Sequence, residues 1–335
     1  MSLIIIKIMK LLIVGGAGYI GAHVALAAVD YGFEVTVYDN LCSGSIENLN
    51  QKCKFIEGST SDSNLLNKLM KSQNFDAVLH FAAYKSASES MSNPWKYAEN
   101  NIVGSLALIN SCVSNGIKNF IFSSSAAVYG SPQYLPIDEM HPTNPINYYG
   151  YTKLEIENNL KWFNQIAGLN YVCLRYFNAA GYDPRNRIRV PERNPENLIP
   201  IVMESAIGIR KKIEVYGNDY KTKDGTGIRD YIHVADLASA HISSIEYLNK
   251  SKKSITINLG TGVGYSVLDV IKKTSEISKK EVKYEFKKRR KGDAGEVVAK
   301  SLLAHHIIDW KPNFSDLESI IQSTWSVYKT LINKL

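Results

Sequence analysis

The chain has little of what would place it outside ordinary globular proteins. Its 335 residues include only four cysteines (Cys42, Cys53, Cys112 and Cys173), far apart and without a CxxC pair. That spacing offers neither a disulfide framework nor a zinc site, and scattered thiols suit a reducing compartment such as the cytoplasm. No apolar run approaches the roughly eighteen residues that a membrane helix needs. The opening Met1–Ile6 is apolar, but Lys7 and Lys10 break it and no small-residue cleavage site follows, so it does not read as a signal peptide. Met9 is an alternative start, which would make the first eight residues an extension. No internal repeat or low-complexity segment is visible. His305 and His306 are adjacent, the wrong spacing for two metal ligands on one helix face, and no metal is expected.

What is present is enough for one large core or two unequal domains: 45% of residues are hydrophobic and 21% charged. The net charge is +7, spread along the chain apart from one dense run at Lys287–Lys291. A basic balance favours acidic partners such as phosphates and says nothing about fold.

Read in order, the chain alternates. Lys10–Val14 reads as a buried parallel strand, and it meets Gly15-Gly16-Ala17-Gly18-Tyr19-Ile20-Gly21 at once. An apolar helix follows over His23–Tyr31, then a strand over Glu34–Tyr38 that ends in Asp39-Asn40. Glycines at 15, 18 and 21 let the backbone approach a pyrophosphate, and the next helix N-terminus favours its charge. A carboxylate ending the second strand can accept hydrogen bonds from an adenosine ribose. It would repel a 2′-phosphate, and no arginine stands beside it, so NAD is expected over NADP. Further strands are expected at Cys53–Glu57, Phe75–Ala82, Asn119–Ser123 and Tyr171–Phe177. Helices are expected at Ser63–Lys71, Trp95–Asn115 and Tyr148–Ile166. The fold class is therefore α/β, a Rossmann-type doubly wound parallel sheet, in which ligands lie beyond the carboxyl ends of the strands.

After Asn178 the pattern loosens, and a smaller mixed α/β C-terminal domain, mainly for substrate, is expected over 179–335 against a dinucleotide domain over 9–178, with room for strands and helices to be exchanged between them. Asp183–Asn197 reads as a loop, Leu198–Lys211 as a helix, Ile213–Tyr216 as a short strand and Gly225–Tyr231 as a turn. A helix opens near Val234, and Ser254–Leu259 and Glu281–Phe286 read as strands. A second glycine cluster, Gly260–Gly264, fits a nucleotide loop, but a plain strand-to-helix turn with Ser266 as N-cap explains it better. The basic run fits a nucleic-acid patch, an arginine clamp on a diphosphate, or a solvated face. It lies in no DNA- or RNA-binding motif.

Tyr149 and Lys153 are four apart and share one face of a helix. An ammonium beside a phenol favours the phenolate, lowering the tyrosine pKa from about 10 toward a working base. Alone, this spacing is common on ordinary amphipathic helices. Ser123–Ser125, leaving an apolar strand at the ligand edge, fits either a site or a capped strand end.

Together these strings resemble the extended short-chain dehydrogenases/reductases and, within them, the UDP-glucose 4-epimerase family, from Lys10 to about Tyr328. The resemblance rests on GGAGYIG at 15–21, DNLCSGS at 39–45, HFAAYKS at 80–86, NNIVGS at 100–105, FIFSSSAAVYG at 120–130, YYGYTK at 148–153, LRYFNAAG at 174–181, YGNDYKTKDGTGIRDYIHVADLA at 216–238, NLGTGVGYSVLDV at 258–270 and RRKGD at 289–293. It implies that Tyr149 is base and acid at the sugar 4-hydroxyl, tuned by Lys153 and assisted by Ser125. It implies NAD on Gly15, Gly18, Tyr19, Ile20 and Gly21, with Asp39, Asn40 and Ser43 at the adenosine ribose. Phe81, Ala82, Lys85, Asn100 and Tyr176 would line the nicotinamide side. A UDP-hexose would meet Lys85, Asn178, Asn197, Leu198, Tyr216, Arg229, Arg290, Asp293 and Val297. The implied reaction interconverts UDP-glucose and UDP-galactose by oxidation at C4, turning of the 4-keto sugar and re-reduction. A homodimer joined through the Trp95–Asn115 and Tyr149–Ile166 helices is implied as well.

Three positions depart from the family pattern. Ser59-Thr60 stand where an Asp and a branched apolar residue are usual, so an adenine contact would pass to a serine or to Asp62. Ala127 replaces a frequent threonine. Val297 replaces the tyrosine of glucose-specific bacterial members, which opens room for UDP-N-acetylglucosamine and UDP-N-acetylgalactosamine. A dehydratase of the same fold is the nearest alternative, yet Ser124-Ser125-Ala126 lacks the acid that elimination requires. A decarboxylase lacks a carboxylate-binding arginine near Ser125. A non-catalytic NAD-binding regulator would not need Ser125, Tyr149 and Lys153 together.

Overall fold

The computed structural model describes residues 8–290 and 292–334, so residues 1–7 of the N-terminal extension and Lys291 of the basic run lie outside the described residues. The strands are β1 (Lys10–Val14), β2 (Glu34–Asp39), β3 (Lys54–Glu57), β4 (Ala77–His80), β5 (Asn119–Ser125), β6 (Asn170–Tyr176), β7 (Asn178–Ala180), β8 (Ile213–Tyr216), β9 (Ile228–His233), β10 (Ile255–Leu259), β11 (Gly264–Ser266), β12 (Tyr284–Lys287) and β13 (Glu296–Val297). The α-helices are α1 (Tyr19–Asp30), α2 (Ser63–Gln73), α3 (Ala87–Ser92), α4 (Pro94–Tyr97), α5 (Gly104–Ser114), α6 (Tyr148–Ala167), α7 (Leu198–Ala206), α8 (Val234–Ser251), α9 (Val267–Ser278), α10 (Leu302–Ile308) and α11 (Leu317–Tyr328).

Seven strands form one sheet in the order β10-β6-β5-β4-β1-β2-β3, and every pairing in it is parallel. Because parallel strands need crossovers, helices cover both faces, and β1, β4, β5 and β6 are buried almost throughout. The two-residue period divides each strand between two cores. Leu11 and Ile13 of β1 join Val24 and Ala25 of α1 and Leu237 and Ile245 of α8. Leu12 and Val14 join Leu66 of α2, Leu108 of α5 and Ile156 and Leu160 of α6. The sheet order reverses direction between β1 and β4, which is where a doubly wound sheet opens a ligand crevice. β10 lies in the C-terminal half of the sequence and closes the edge of this sheet beside β6.

The second layer is small. β9 pairs with β7 and β13 in parallel and with β11 antiparallel, and β8 pairs with β12. Helices α7, α9 and α11 surround their own core of Val202, Met203, Val270, Ile271, Ile320 and Ile321.

Local signals place the helix ends. Asn147 accepts a hydrogen bond from Gly150 N at 2.8 Å to start α6, and Gly168, at φ 65°, ends it in the left-handed conformation. Ser266 and Asp269 form a capping box at the start of α9. Three expected elements differ. Gly225–Tyr231 is not simply a turn: β9 begins at Ile228 and is the centre of the small sheet, but its sequence (IRDYIH) shows no alternation because most of it is buried on both sides. The expected Trp95–Asn115 helix is α4 and α5 joined by a π-helical segment over Ala98–Val103. α7 stops at Ala206, short of Lys211, and the chain turns at Gly208 with φ +88°.

The buried histidines include His23, His80, His233 and His241. Burial lowers their pKa values from 6.5 to about 4, 3, 3 and 4 respectively. Each is neutral in the fold where its unfolded counterpart is already protonated, so acid favours unfolding. Stability is complete above pH 6.5 and falls as pH drops below it, by about 2 kcal/mol per histidine at pH 5. A thermal midpoint unchanged between pH 7 and 5 would contradict this.

Candidate active site

The site begins at the turn after β1. Gly15 has φ +78°, and a Cβ there would lie 2.4 Å from Ala82 N, so only glycine lets the two strand-end loops touch. A Cβ on Gly21 would meet Gly15 O at 2.2 Å. Gly18 differs: a Cβ there would meet only Gly15 O, at 3.3 Å, so the face of the turn stays open. α1 starts at Tyr19, four residues before the sequence pattern indicates, with no side chain capping its first amides. Asp39 ends β2 and is buried, accepting from Ala17 N at 2.9 Å and Leu41 N at 2.8 Å.

A cavity of about 230 Å³ runs along this edge. Every residue expected to meet the dinucleotide, from Gly15 through Asp39, Asn40 and Ser43 to Phe81, Ala82, Lys85, Asn100, Tyr149, Lys153 and Tyr176, lines it. An open glycine face, an uncapped helix N-terminus and a carboxylate at the far end fit a dinucleotide laid along the cavity. Ser59 and Thr60 also line it. Asp62 does not: its carboxylate caps α2 by accepting from Leu65 N at 2.9 Å, so it is no substitute at the adenine end.

Val190–Arg193 line the cavity too, in the segment that reads as a mere loop in the sequence. Asn48 holds this strap by two bonds of 3.0 Å, donating to Val190 O and accepting from Val190 N. Lys85 pairs with Glu192. Nothing but proximity reveals the strap, since neither Asn48 nor Glu192 belongs to a motif. The π-helical segment explains Asn100: its neighbour Asn101 is turned inward, where it bonds Tyr84 N and Tyr84 O at 2.9 Å each and Thr152 Oγ1 at 3.2 Å. This ties the β4 loop to α6, a use typical of π-bulges.

At the other end, Tyr149 hydrogen-bonds Ser125, which stands at the end of β5 just behind the cavity lining and also accepts from Ala127 N at 3.1 Å. Lys153 is buried and donates to Ser123 O at 2.8 Å, leaving its Nζ 5.9 Å from the Tyr149 ring centre. The expectation that Lys153 lowers the Tyr149 pKa is corrected. Burial raises the phenol above its usual value, and the Ser125 hydrogen bond is what opposes it. Burial also pulls Lys153 down to about 7, with Glu157 acting against it.

Apart from Lys85, the residues expected to meet the UDP-hexose beyond the reacting hydroxyl lie outside that lining. Six of them gather on the two small sheets and the loop before β13. Arg229 pairs with Asp293, Arg290 stacks 3.9 Å over the Tyr216 ring, and Val297 is the register partner of Arg229. Asn178 opens β7, and Asn197 and Leu198 start α7. Two residues of the basic run are in ion pairs: Lys287 with Glu214 and Glu285, and Arg289 with Asp219. The amides of the second glycine cluster are turned to protein partners: Gly260 N donates to Ser301 Oγ at 2.9 Å and Val263 N to Thr261 Oγ1 at 3.0 Å. Buried Asp230 accepts from Thr261 N, Gly262 N and Ala299 N at 2.9–3.1 Å.

Comparison with known proteins decides the family. The profile of the NAD dependent epimerase/dehydratase family matches residues 11–260. The chain belongs to this family. It is 42% identical to the UDP-glucose 4-epimerase of Halalkalibacterium halodurans, covering 96% of each chain. The crystal structure of UDP-glucose 4-epimerase from Brucella ovis in complex with NAD superposes with a TM-score of 0.93 at 39% identity, over 96% of this chain and 98% of that one. The UDP-Glc/GlcNAc 4-epimerase of Campylobacter jejuni is 38% identical with a TM-score of 0.85, over 96% and 99%. The family is NAD dependent, in agreement with the open glycine face at the carboxyl edge of the parallel sheet. No helix among the described residues is long and apolar enough to cross a membrane.

Proposed function

We propose that the chain interconverts UDP-glucose and UDP-galactose as an NAD-dependent 4-epimerase. The observation that carries this reading is the Tyr149–Ser125 hydrogen bond beside buried Lys153, at the end of the cavity opposite Asp39. NAD, held by Gly15, Gly18, Asp39 and Lys153, would supply the hydride acceptor and donor for C4 of the sugar. Tyr149 takes the 4-hydroxyl proton and gives it back, Ser125 holds the same hydroxyl, and Lys153 supplies positive charge near the phenol. Arg229, Arg290 and Asp293 hold the diphosphate and uridine end while the sugar turns, with Tyr216, Asn178, Asn197 and Leu198 around it. Elimination by a dehydratase would need an acid at the sugar. The carboxylates that line the cavity are Asp39, at its far end, and Glu192, paired with Lys85.

The Tyr149→Phe variant tests the roles. It retains bound NAD and nucleotide sugar, while kcat falls about 10²–10⁴-fold. Near-normal turnover would assign the proton to another group.

A second substrate class is favoured by Val297. Its side chain packs against the cluster of Val128, Tyr129, Ile137, Phe177 and Ala299 and is smaller than a tyrosine. UDP-N-acetylgalactosamine is turned over at a rate comparable with UDP-galactose, and Val297→Tyr removes the acetylated activity selectively. Undetectable acetyl-sugar turnover by the unaltered chain contradicts this.

Trp95, Val103, Trp162 and Ile166 are 56–74% exposed on α4, the π-helical segment that follows it and α6. A second copy of the chain covers them, joining these helices in a bundle. Sedimentation at twice 37.4 kDa, reduced to the single mass by Trp162→Glu, is the expected result; a monomer in the unaltered chain rules this out. Four unpaired cysteines fit a cytoplasmic enzyme, which cell fractionation checks.

A further inference from the structure

Tyr149 and Lys153 stand in the first turns of α6, and Glu157 lies one turn beyond Lys153, wholly buried. Its carboxylate accepts from Ser124 Oγ at 2.5 Å and from Arg175 Nε at 2.9 Å, and Arg175 Nη2 donates to its second oxygen. Ser124 and Arg175 are register partners on β5 and β6, so one side chain ties the helix to both strands at once. Their chain neighbours are site residues: Ser125 follows Ser124, and Tyr176 follows Arg175. Arg175 also donates to Tyr129 Oη at 3.0 Å, and Tyr129 to Asn258 Oδ1 at 2.6 Å, which carries the network to β10. A bidentate fork fixes direction as well as distance. Four residues make about one turn, so fixing Glu157 fixes the roll and height of the turn that bears Lys153.

We propose that Glu157, clamped by Ser124 and Arg175, is a positioning residue for Tyr149 and Lys153, setting α6 against the strand ends and placing its carboxylate one turn from Lys153. This rests on reading those two as the proton-transfer pair. The groups that face Lys153 leave Glu157 a distinct part. Ser123 O of β5 accepts a hydrogen bond from its Nζ, the Phe122 ring of β5 lies 4.9 Å away, the Tyr149 ring is on its own helix, and His80 of β4 is held neutral by burial. Arg175 of β6 is spent on Glu157, and Tyr176 pairs with Ser123. Glu157 is the carboxylate that raises the Lys153 pKa against burial.

Removing that negative charge lowers the Lys153 pKa further, so the ammonium is lost at lower pH. The test measures kcat against pH, with bound dinucleotide read by absorbance, for the holoenzyme and its Glu157→Gln, Glu157→Asp and Glu157→Gln/Arg175→Gln variants. Both variants with Gln at 157 keep the dinucleotide, lose roughly 10- to 100-fold in kcat, and move the alkaline limb about one unit to lower pH. Glu157→Asp keeps the charge, so its kcat falls while the limb stays in place. Should Glu157→Gln fail to fold with Arg175 left alone, the double variant, which buries no lone charge, decides. An unmoved limb, or kcat loss that only follows the folded fraction, overturns the proposal. Tyr149→Phe run alongside separates the two readings: if it stays active, the proton-transfer pair itself is wrong, and if it is inactive with an unmoved limb, only the role of Glu157 falls.

Discussion

Parallel strands can be joined only by crossovers, so the carboxyl ends of β1, β4, β5 and β6 all open on the same edge. The rest of the molecule depends on that constraint. It brings Gly15, Phe81, Ser123 and Tyr176 to one cavity, although they are as much as 161 positions apart in the chain. Close approach is the second requirement, and glycine meets it where Gly15 touches the Ala82 backbone. A side chain at that point would separate the two loops whose junction makes the crevice.

The electrostatics of this edge are governed by burial. Tyr149 and Lys153 are both shifted toward their neutral forms, the phenol upward and the ammonium downward. The fold compensates with oriented groups instead of solvent: Ser125 on the phenol, Ser123 O on the ammonium, and Glu157 one turn away. The same logic recurs in the small sheet, where buried Asp230 gathers the amides of the Gly260–Gly262 turn and of Ala299. That carboxylate holds β13, and with it Val297, beside Arg229.

What could be read from the sequence was local. The glycine turn, the acid ending β2, the Ser266 cap and the Tyr149–Lys153 spacing each occupy a few neighbouring residues, and each lies where its pattern indicates. What could not be read depends on distant partners. β9 gives no alternation because both its faces are covered, so its strand character comes from pairing with β7, β11 and β13. The π-helical segment follows from Asn101 reaching Tyr84 and Thr152, contacts that no helical periodicity encodes. The Val190–Arg193 strap over the cavity rests on Asn48, far away in sequence and in no motif. The pKa of Tyr149 was misread for the same reason: spacing brings Lys153 near, but burial decides the sign of the shift.

The central claim is that this edge performs reversible oxidation at a sugar hydroxyl and returns the hydride with inverted configuration. Incubation of the purified chain with UDP-galactose and no added cofactor, with products resolved by sugar, tests it most directly. The account predicts UDP-glucose at equilibrium with the remaining UDP-galactose and no net consumption of NAD. A 4-keto-6-deoxy product, or no change in the sugar at all, would contradict it.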